Sequence, residues 1–538
     1  MDLEVSAETP RAEAERCTWL TRSESAVDLA DYEWICIQSL GFISCIPRDT
    51  LIEIMLRCLH AERSDRLQGH VDGEGLVDPM SSYGSDERET SHGFPLYLTE
   101  ICRWWREAAL ETPRLWSSAR LTLTDSNSMK QHCAILALAE LWLSRGVKEQ
   151  LTLVVNVHFG TSYNDSAATA AAAALGRLLD FHSPDLRRIC LRRIPPSMVG
   201  RTHTSLSNNL FPSLQDIELE TAVGSMWSGR FDSLENASRL RSVRLGSTED
   251  SPHDITSLCL PWHQLTTLYL LVVVPTPDCL QILHQCSDLK IVELQLIQFG
   301  SFNSQPLTLR HLCKLHVWFD GEIDSFLDAL RLPSLSSLSL SLTVSPPWNP
   351  FRSQFWMSHA DQLTEVELKL PIGGDLRQVF HTMPNITSLH MDIRVTPSFF
   401  HSWGPELLPA LVTLTIAIVY PRDESFLRSV RMILPFLEQR RSCGAARDCS
   451  SHLERVRFDD GTNYGRDSCE LVGMDDVLAS DMEVEFNRIR HLKVSGMEID
   501  WQVQGEDILL PRVMPSRVLS DLEIAMNNLC ERFRGPIF

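Results

Sequence analysis

A six-residue apolar pattern repeats through the middle of the chain and limits its possible folds more than any other feature. Between residues 186 and 458, an apolar residue, two variable residues, a second apolar residue, one variable residue and a third apolar residue recur eleven times. Nine of the ten steps between successive first residues are 23 to 28 residues long, and the last is 42. A unit of that length cannot bury its own apolar face, so we expect the units to stack against one another. The copies are Leu186/Ile189/Leu191, Leu214/Ile217/Leu219, Leu240/Val243/Leu245, Leu265/Leu268/Leu270, Leu289/Val292/Leu294, Leu312/Leu315/Val317, Leu335/Leu338/Leu340, Leu363/Val366/Leu368, Ile386/Leu389/Met391, Leu411/Leu414/Ile416 and Leu453/Val456/Phe458.

The pattern Leu-x-x-Leu-x-Leu at this period resembles the leucine-rich repeat, in which each unit contributes a short strand and a return helix or loop. The resemblance implies an α/β fold, an irregular solenoid or horseshoe with a parallel sheet on its concave face. We assign residues 123–538 to this domain. Because a repeat array of this kind presents an extended surface, the pattern favours binding over catalysis.

Four copies of the pattern also share the way they begin. Each is introduced by an apolar residue and a proline, and proline suits a strand entry because it lacks a backbone N–H donor. The shared opening therefore predicts the same corner in each of these units. The four openings are Phe211-Pro212-Ser213-Leu214, Leu332-Pro333-Ser334-Leu335, Met383-Pro384-Asn385-Ile386 and Leu408-Pro409-Ala410-Leu411.

Charge and composition argue against several classes of function. The chain has 49 Lys plus Arg against 70 Asp plus Glu, a net charge of −21, and so acidic a chain repels phosphate backbones. We therefore expect no nucleic-acid partner. No run approaches the ~18 consecutive apolar residues of a membrane span, and the acidic start does not read as a signal peptide. We expect an intracellular protein, cytoplasmic or nuclear, with no membrane partner.

The cysteines indicate reduced thiols and not a disulfide framework. Their number, fifteen, is odd, and they are scattered along the chain, often inside strand or helix patterns. Reduced cysteine behaves as a small apolar residue, so we expect a packing role for Cys102, Cys190, Cys259 and Cys313.

Two amphipathic helices are predicted before the repeats. The first begins near Pro47 and carries apolar residues three and four positions apart. The second runs over about residues 96–110 and ends before Thr112, because a residue that precedes proline is disfavoured in a helix. The segment between the helices, 61–94, is rich in Gly, Ser and acid and is predicted to be a flexible insertion. Residues 1–44 are predicted to be partly disordered or helical.

These two helices and the residues after them resemble the F-box, closest to the fungal type that precedes leucine-rich repeats. The resemblance lies in Ile-Pro-x-Asp-x-Leu-x-x-Ile-Met-x-x-x-Leu from residue 46, Leu-x-x-Ile-Cys-x-x-Trp-Arg-x-x-Ala from residue 98, and Pro-x-Leu-Trp from residue 113. The family usually begins Leu-Pro-x-Glu, so Ile46 and Asp49 are conservative departures, and the insertion is a larger one. We assign residues 45–122 to an F-box-like helical domain. The alternative is an ordinary helical cap that closes the open end of the repeat array.

The resemblance implies partners and contact residues. F-box proteins dock on a Skp-type adaptor, which ties them to a cullin scaffold in a ubiquitin ligase, and the attached repeats hold the protein substrate. Apolar anchors on one helix face can fill a groove of the adaptor, and aromatic residues are frequent hot spots. For Trp105 and Trp116, packing within the domain is the alternative. The predicted adaptor-binding residues are Ile46, Pro47, Leu51, Ile54, Leu59, Leu98, Ile101, Trp105, Leu115 and Trp116.

Catalysis and metal binding find no support in the sequence. Phosphate-binding, dinucleotide-binding, nucleophile-elbow and metalloprotease motifs are absent, so we expect neither an enzyme nor a cofactor. Cys443, Cys449, His452 and Cys469 cluster late in the chain, but zinc ligands usually arrive as tight pairs and these intervals are too wide. We predict no metal site.

A substrate-binding patch is predicted on the sheet face that carries the variable positions of the repeats. Side chains alternate along a strand, so residues on either side of the second apolar residue point away from the core. In the middle of the array, Tyr269, Ile291 and His316, with Trp318 two residues further on the same face, would form an aromatic and apolar patch beside Glu293 and Lys314. The predicted substrate-binding residues are Tyr269, Glu293, Lys314, His316 and Trp318. Aromatic residues with a polar rim are typical of a protein-binding hot spot. A strand phase wrong by one residue would turn the same side chains inward.

The sequence thus predicts an F-box substrate receptor that binds an adaptor through its N-terminal helices and an unknown protein substrate through its repeats. The first alternative is a repeat-based structural or signalling scaffold whose helices are only a cap. The second is an F-box protein that binds the adaptor but works outside the ligase.

Overall fold

The computed structural model describes the chain in segments between residues 47 and 507, and these fall into two compact units. The first contains residues 47–57 and 102–115, and the second contains the described residues from Trp116 onward. The described ranges are 47–57, 102–124, 127–159, 165–222, 232–247, 255–256, 258–298, 305–321, 323–342, 354–369, 377–392, 403–404, 406–417, 424–445, 453–459, 476–503 and 506–507.

The first unit is helical. Residues 48–57 form α1, which begins where the amide of Leu51 donates to the carbonyl of Pro47 at 2.9 Å. Helix α2 spans Arg103–Leu110 and leads, through Thr112, into a 3₁₀ turn at Pro113–Trp116. The hydroxyl of Thr112 donates to the carbonyl of Ala108 at 2.6 Å, which satisfies one of the carbonyls left open at the helix end. An ion pair between Arg48 and Glu111 joins the two helical segments.

The second unit is built on a long parallel sheet. Within the described residues, fourteen strands pair in parallel and follow chain order, except that β8 and β10 form a separate two-stranded sheet and β17 adds antiparallel to β16. The strands are β1 Ser118–Thr124, β2 Leu151–His158, β3 Leu186–Ile194, β4 Asp216–Thr221, β5 Ser242–Ser247, β6 Thr267–Pro275, β7 Ile291–Ile297, β8 Leu307–Thr308, β9 Lys314–Asp320, β10 Leu330–Arg331, β11 Ser337–Leu342, β12 Glu365–Lys369, β13 Ser388–Asp392, β14 Thr413–Ala417, β15 Arg455–Asp459, β16 Glu498–Val503 and β17 Glu506–Asp507.

Helices connect many of these strands, as parallel pairing requires a crossover between neighbours. Among the described residues, no helix is both long enough and apolar enough to cross a membrane. The helices of this unit are α3 Met129–Leu143, α4 Asp165–His182, α5 Pro196–Asn208, α6 Asp232–Glu235, α7 Thr276–Gln285, α8 Asp324–Asp328, α9 Gln354–His359, α10 Arg377–His381, α11 Glu424–Ala445 and α12 Asp476–Val494, with 3₁₀ turns at Trp262–Gln264 and Ala360–Gln362.

The apolar residues of the repeated pattern form the core beneath the sheet. Each of the eleven copies ends in a strand, β3 to β7, β9, or β11 to β15, and all three apolar residues of every copy are at most 3% exposed. Equivalent residues pair across neighbouring strands, as Val292 does with Leu315, so the apolar positions form continuous rows. The predicted strand phase is confirmed.

The shared proline corner is a turn. In three of the four copies, the amide of the first apolar residue donates to the carbonyl three residues earlier. These bonds run from Leu214 to Phe211 at 3.3 Å, from Leu335 to Leu332 at 3.1 Å, and from Leu411 to Leu408 at 3.1 Å.

The sheet also includes strands that the pattern does not predict. β1, β2 and β16 extend the sheet beyond the eleven predicted strands, and β1 starts at Ser118, before the predicted domain boundary at residue 123. In β1 the three apolar places are taken by Trp116, Ala119 and Leu121, all buried. Tryptophan and alanine replace the usual leucine and branched residue, so a search for leucine-like residues misses this strand.

The expectation for the cysteines is only partly right. Cys190 is buried, whereas Cys102 and Cys259 are half-buried. Cys313 is exposed, because it lies between the first and second apolar residues of its copy and so faces away from the core.

Candidate binding surface

The five residues of the predicted substrate patch lie together on one face of the sheet. We call this the polar face, the face opposite to the buried apolar rows. Tyr269 on β6 pairs with Glu293 on β7, which pairs in turn with His316 on β9. Lys314 and Trp318 flank His316 on β9 at the two positions that share its face.

The patch is less exposed than the sequence predicts. Glu293 is 7% exposed and His316 is 5% exposed, whereas Tyr269 and Trp318 are half-buried and Lys314 is exposed. Side chains at the same register on parallel strands lie about 4.8 Å apart, so neighbours on both sides shield a residue in the middle of the face. The ring of Trp318 also lies against that of His316, with ring centroids 3.8 Å apart. The prediction of exposed residues at these positions is therefore wrong for Glu293 and His316.

His316 is a buried polar side chain without a hydrogen-bond partner. Both ring nitrogens are inaccessible, and neither has a hydrogen-bond partner among the residues that the structure describes. Burial lowers the pKa of His316 to about 3, because the charged ring would lose its hydration, although the carboxylate of Glu367 opposes this shift. The ring is therefore neutral at physiological pH and offers one donor and one acceptor.

Glu293, beside it, is held partly protonated near neutral pH. Burial raises the pKa of Glu293 to about 7, because the ionised carboxylate would lose its hydration. The charge of Arg244 opposes this shift, and that of Glu367 adds to it. Two neighbouring groups on the polar face are thus buried, one neutral and the other partly protonated near neutral pH.

A second cluster on the same row surrounds Glu367 and was not predicted. The hydroxyl of Ser339 donates to Glu367 Oε2 at 2.6 Å, and Lys369 Nζ lies 3.4 Å from Oε1. His390 Nδ1 lies 3.7 Å from the same Oε1 atom. Burial alone would raise the pKa of Glu367, but His390 and Lys369 outweigh it, so the pKa is lowered and the carboxylate stays ionised.

A signal for this cluster was present in the sequence. Ser339, Glu367 and His390 occupy the variable place between the second and third apolar residues, the same place as Glu293 and His316. We call the row formed by this place the central ladder. Because this place lies side by side in successive strands, the sequence alone indicates that these residues are neighbours.

A third cluster, nearer the start of the sheet, joins three arginines to one buried carboxylate. Arg192 Nε lies 2.9 Å from Glu218, and Arg188 and Arg244 each lie 3.9 Å from it. Burial would raise the pKa of Glu218, but Arg192 and Arg244 lower it overall. Arg244 also lies over the ring of Tyr269 at 5.3 Å, which connects this cluster to the predicted patch.

The predicted adaptor-binding residues are divided between surface and interior. Pro47 is exposed, Ile54 is 38% exposed, and Trp105 is half-buried. Leu51 and Leu115 are buried, and so is the residue after Leu115, Trp116. These three side chains therefore pack in the interior and are not exposed for contact with an adaptor. For Leu51, the three-and-four spacing of apolar residues in α1 serves packing within the chain. Ile46, Leu59, Leu98 and Ile101 lie outside the described residues.

Trp116 illustrates the packing alternative. Its ring meets that of Trp142 edge to face, with centroids 5.2 Å apart, and the guanidinium of Arg145 lies 5.4 Å from its centre. It belongs to the core of the second unit.

Among the described residues, no group of three or more His, Cys, Asp or Glu side chains could hold a metal ion. Cys443 lies in α11, and Cys449, His452 and Cys469 lie outside the described residues.

Comparison with known proteins adds no family. No protein-family model matches this chain, and no curated protein is significantly similar to it.

Proposed function

We propose that this chain is an F-box-type substrate receptor whose N-terminal helices bind a Skp-type adaptor on a cullin scaffold. Its repeats form a leucine-rich-repeat solenoid, and the polar face of the sheet holds a protein substrate for ubiquitination. The chain itself transfers nothing.

The observation that carries the proposal is the exposure of Ile54. In α1, Leu51 and Met55 are buried while Ile54, one residue before Met55, is 38% exposed. Pro47, at the start of the same helix, is also exposed. A helix that served only as a cap would gain most by burying its apolar residues, whereas exposed apolar residues at the start of an F-box-like pattern suit a hydrophobic groove.

The polar face supports the second half of the proposal. It carries buried polar groups, Glu293 and His316, beside the half-buried aromatic rings of Tyr269 and Trp318. Interfaces are enriched in such aromatic residues. A buried polar group without a hydrogen-bond partner costs stability unless a bound group supplies the missing hydrogen bond. A substrate bound on this face would supply that hydrogen bond to His316.

Co-purification of the full chain with a Skp-type adaptor and a cullin tests the proposal. We expect the wild-type chain to retain both, and Ile54→Asp to lose them. The matched control is Glu53→Gln, an exposed change on the same helix that removes only the ion pair with Arg57. Failure of the wild-type chain to retain the adaptor, or full retention by Ile54→Asp, would favour the scaffold alternative.

A further inference from the structure

We infer that Glu293 and His316 form a subsite that receives a lysine or arginine side chain from a segment of a protein partner. This inference rests on the proposed role of the polar face in substrate binding and names the class of segment that it takes.

The geometry suits a cationic side chain. Glu293 and His316 face the same way on neighbouring strands, and Tyr269 pairs with Glu293 on the other side. The ring of Trp318 packs on His316 with centroids 3.8 Å apart. A carboxylate and a neutral imidazole nitrogen accept hydrogen bonds from an ammonium or guanidinium group, and aromatic faces attract the same cations.

His316 supplies the independent sign of a missing partner. It is 5% exposed, and neither ring nitrogen has a hydrogen-bond partner within the described residues. Buried polar groups in folded proteins are nearly always hydrogen-bonded, because an unmade bond costs free energy. A donor group that arrived from a partner would remove this cost for the acceptor nitrogen of the ring.

The position of the subsite follows from a comparison of the two acidic residues on the central ladder. Glu367 Oε2 accepts from Ser339 at 2.6 Å; Oε1 makes no hydrogen bond within the described residues, but Lys369 Nζ already lies 3.4 Å from it and His390 Nδ1 3.7 Å. Burial and the loss of hydration leave Glu293, in contrast, with a pKa of about 7. An incoming cation therefore gains more at Glu293 than at Glu367.

The neighbouring cations already have acidic partners. Arg244 lies 3.9 Å from Glu218, and Lys314 lies 3.8 Å from Glu365. Lys369 lies 3.4 Å from Glu367. Each of these three cations is therefore within ion-pair distance of a carboxylate other than Glu293. Charge complementarity at Glu293 thus favours a cation from outside.

Binding of a cation here should be coupled to release of a proton. Arg244 on β5, and Glu367 and Lys369 on β12, act electrostatically on Glu293. Tyr269 on β6 and His316 on β9 are its cross-strand neighbours, and His390 on β13 faces Glu367. The pKa of His316 is about 3, that of Tyr269 is raised, and that of Glu367 is lowered, so these three keep their charge states between pH 6 and 8. Glu293 ionises in this interval, and we expect affinity about tenfold lower at pH 6 than at pH 8.

A displayed library of random peptides, selected on the full chain at pH 8, tests the inference. We expect selected peptides to be enriched in Lys and Arg. For a selected peptide, Glu293→Gln should weaken binding about tenfold or more, whereas Glu365→Gln, an exposed change on the same face, should alter it less than twofold. Replacing the peptide's basic residue with norleucine should give the same loss as Glu293→Gln.

Several results would overturn the inference. They are failure to select any peptide, enrichment in acidic or purely apolar peptides, and equal binding by Glu293→Gln. Competition by free butylamine at the affinity of the peptide would indicate a small amine as the ligand instead. If both variants have thermal midpoints at or above that of the wild type, a weakened binding is not caused by unfolding. Loss of binding by Glu293→Gln that is explained by unfolding alone would also count against the inference.

Failure here is separable from failure of the proposed function. The peptide selection uses the chain alone, without adaptor or cullin. Basic peptides bound by a chain that does not retain the adaptor would remove the ligase role and leave the subsite. Retention of the adaptor without basic selectivity would do the reverse.

Discussion

Glu293 and Glu367 are buried at equivalent places of the central ladder, yet their surroundings have opposite effects. Glu367 has a hydroxyl donor and two nitrogen neighbours, which lower its pKa although burial alone would raise it. Burial dominates at Glu293 and raises its pKa to about 7. At the scale of one residue, the polar face therefore has one carboxylate, Glu367, that its neighbours keep ionised and one, Glu293, that costs stability when it ionises.

We predict that Glu293→Gln stabilises the fold at pH 8 and changes it little at pH 5. The ordinary pKa of glutamate in an unfolded chain is about 4.3, so between that pH and about 7 the folded state holds a proton that the unfolded state has released. The free energy of unfolding therefore falls as pH rises through this window, and the loss is complete above it. Removing the carboxylate should restore about 1–3 kcal/mol at pH 8.

Chemical denaturation of the wild type and the variant at the two pH values measures this difference. The control is Glu365→Gln, whose side chain is exposed and paired with Lys314. A Glu293→Gln protein that is less stable than wild type at pH 8 would show that the carboxylate has stabilising partners and that its pKa is not raised.

Strands and helices are the scale at which the sequence is most informative. Spacing alone identifies eleven of the strands and the phase of each, because an apolar row buried on one face permits no slip of one residue. The pattern does not predict β1, because Trp116 and Ala119 occupy its first two apolar places. The sequence does not predict the burial of His316, because this burial depends on neighbours across the sheet. The residues of one repeat do not specify which residues of other strands lie beside them.

We predict that adjacent positions of β9 differ sharply in their effect on stability. Leu315 is buried in the core, so Leu315→Ala should cost about 2–5 kcal/mol through loss of apolar contact and formation of a cavity. Lys314→Ala, at an exposed position one residue earlier, should change the free energy of unfolding by less than about 1 kcal/mol. Equal losses measured by urea denaturation would mean that the strand phase is wrong.

Two substitutions of Trp116 distinguish a role in core packing from a role in adaptor binding. Because its ring packs on Trp142 within the second unit, Trp116→Ala should cost about 3–5 kcal/mol of stability. Trp116→Phe keeps an aromatic ring in the core and should leave the affinity for a Skp-type adaptor within about twofold of wild type. A large loss of adaptor affinity in a stable Trp116→Phe protein would return this residue to the adaptor-binding set.

At the scale of the whole molecule, the chain divides into a small helical unit and a long-sheet unit with different surfaces. The helical unit presents exposed Ile54 and Pro47, and the sheet unit presents the polar face with Glu293 and His316. F-box character was inferred from a short pattern, part of which lies outside the described residues, as does the insertion at 61–94. The sheet, in contrast, was predicted from a feature repeated eleven times.

Hydrogen–deuterium exchange of the full chain, with and without saturating Skp-type adaptor, tests the receptor role most directly. We predict slower exchange in residues 47–57 and 102–110 when the adaptor is present, and unchanged exchange in β6, β7 and β9. Unchanged exchange throughout, or slowing confined to the sheet, would contradict the assignment of adaptor binding to the N-terminal helices.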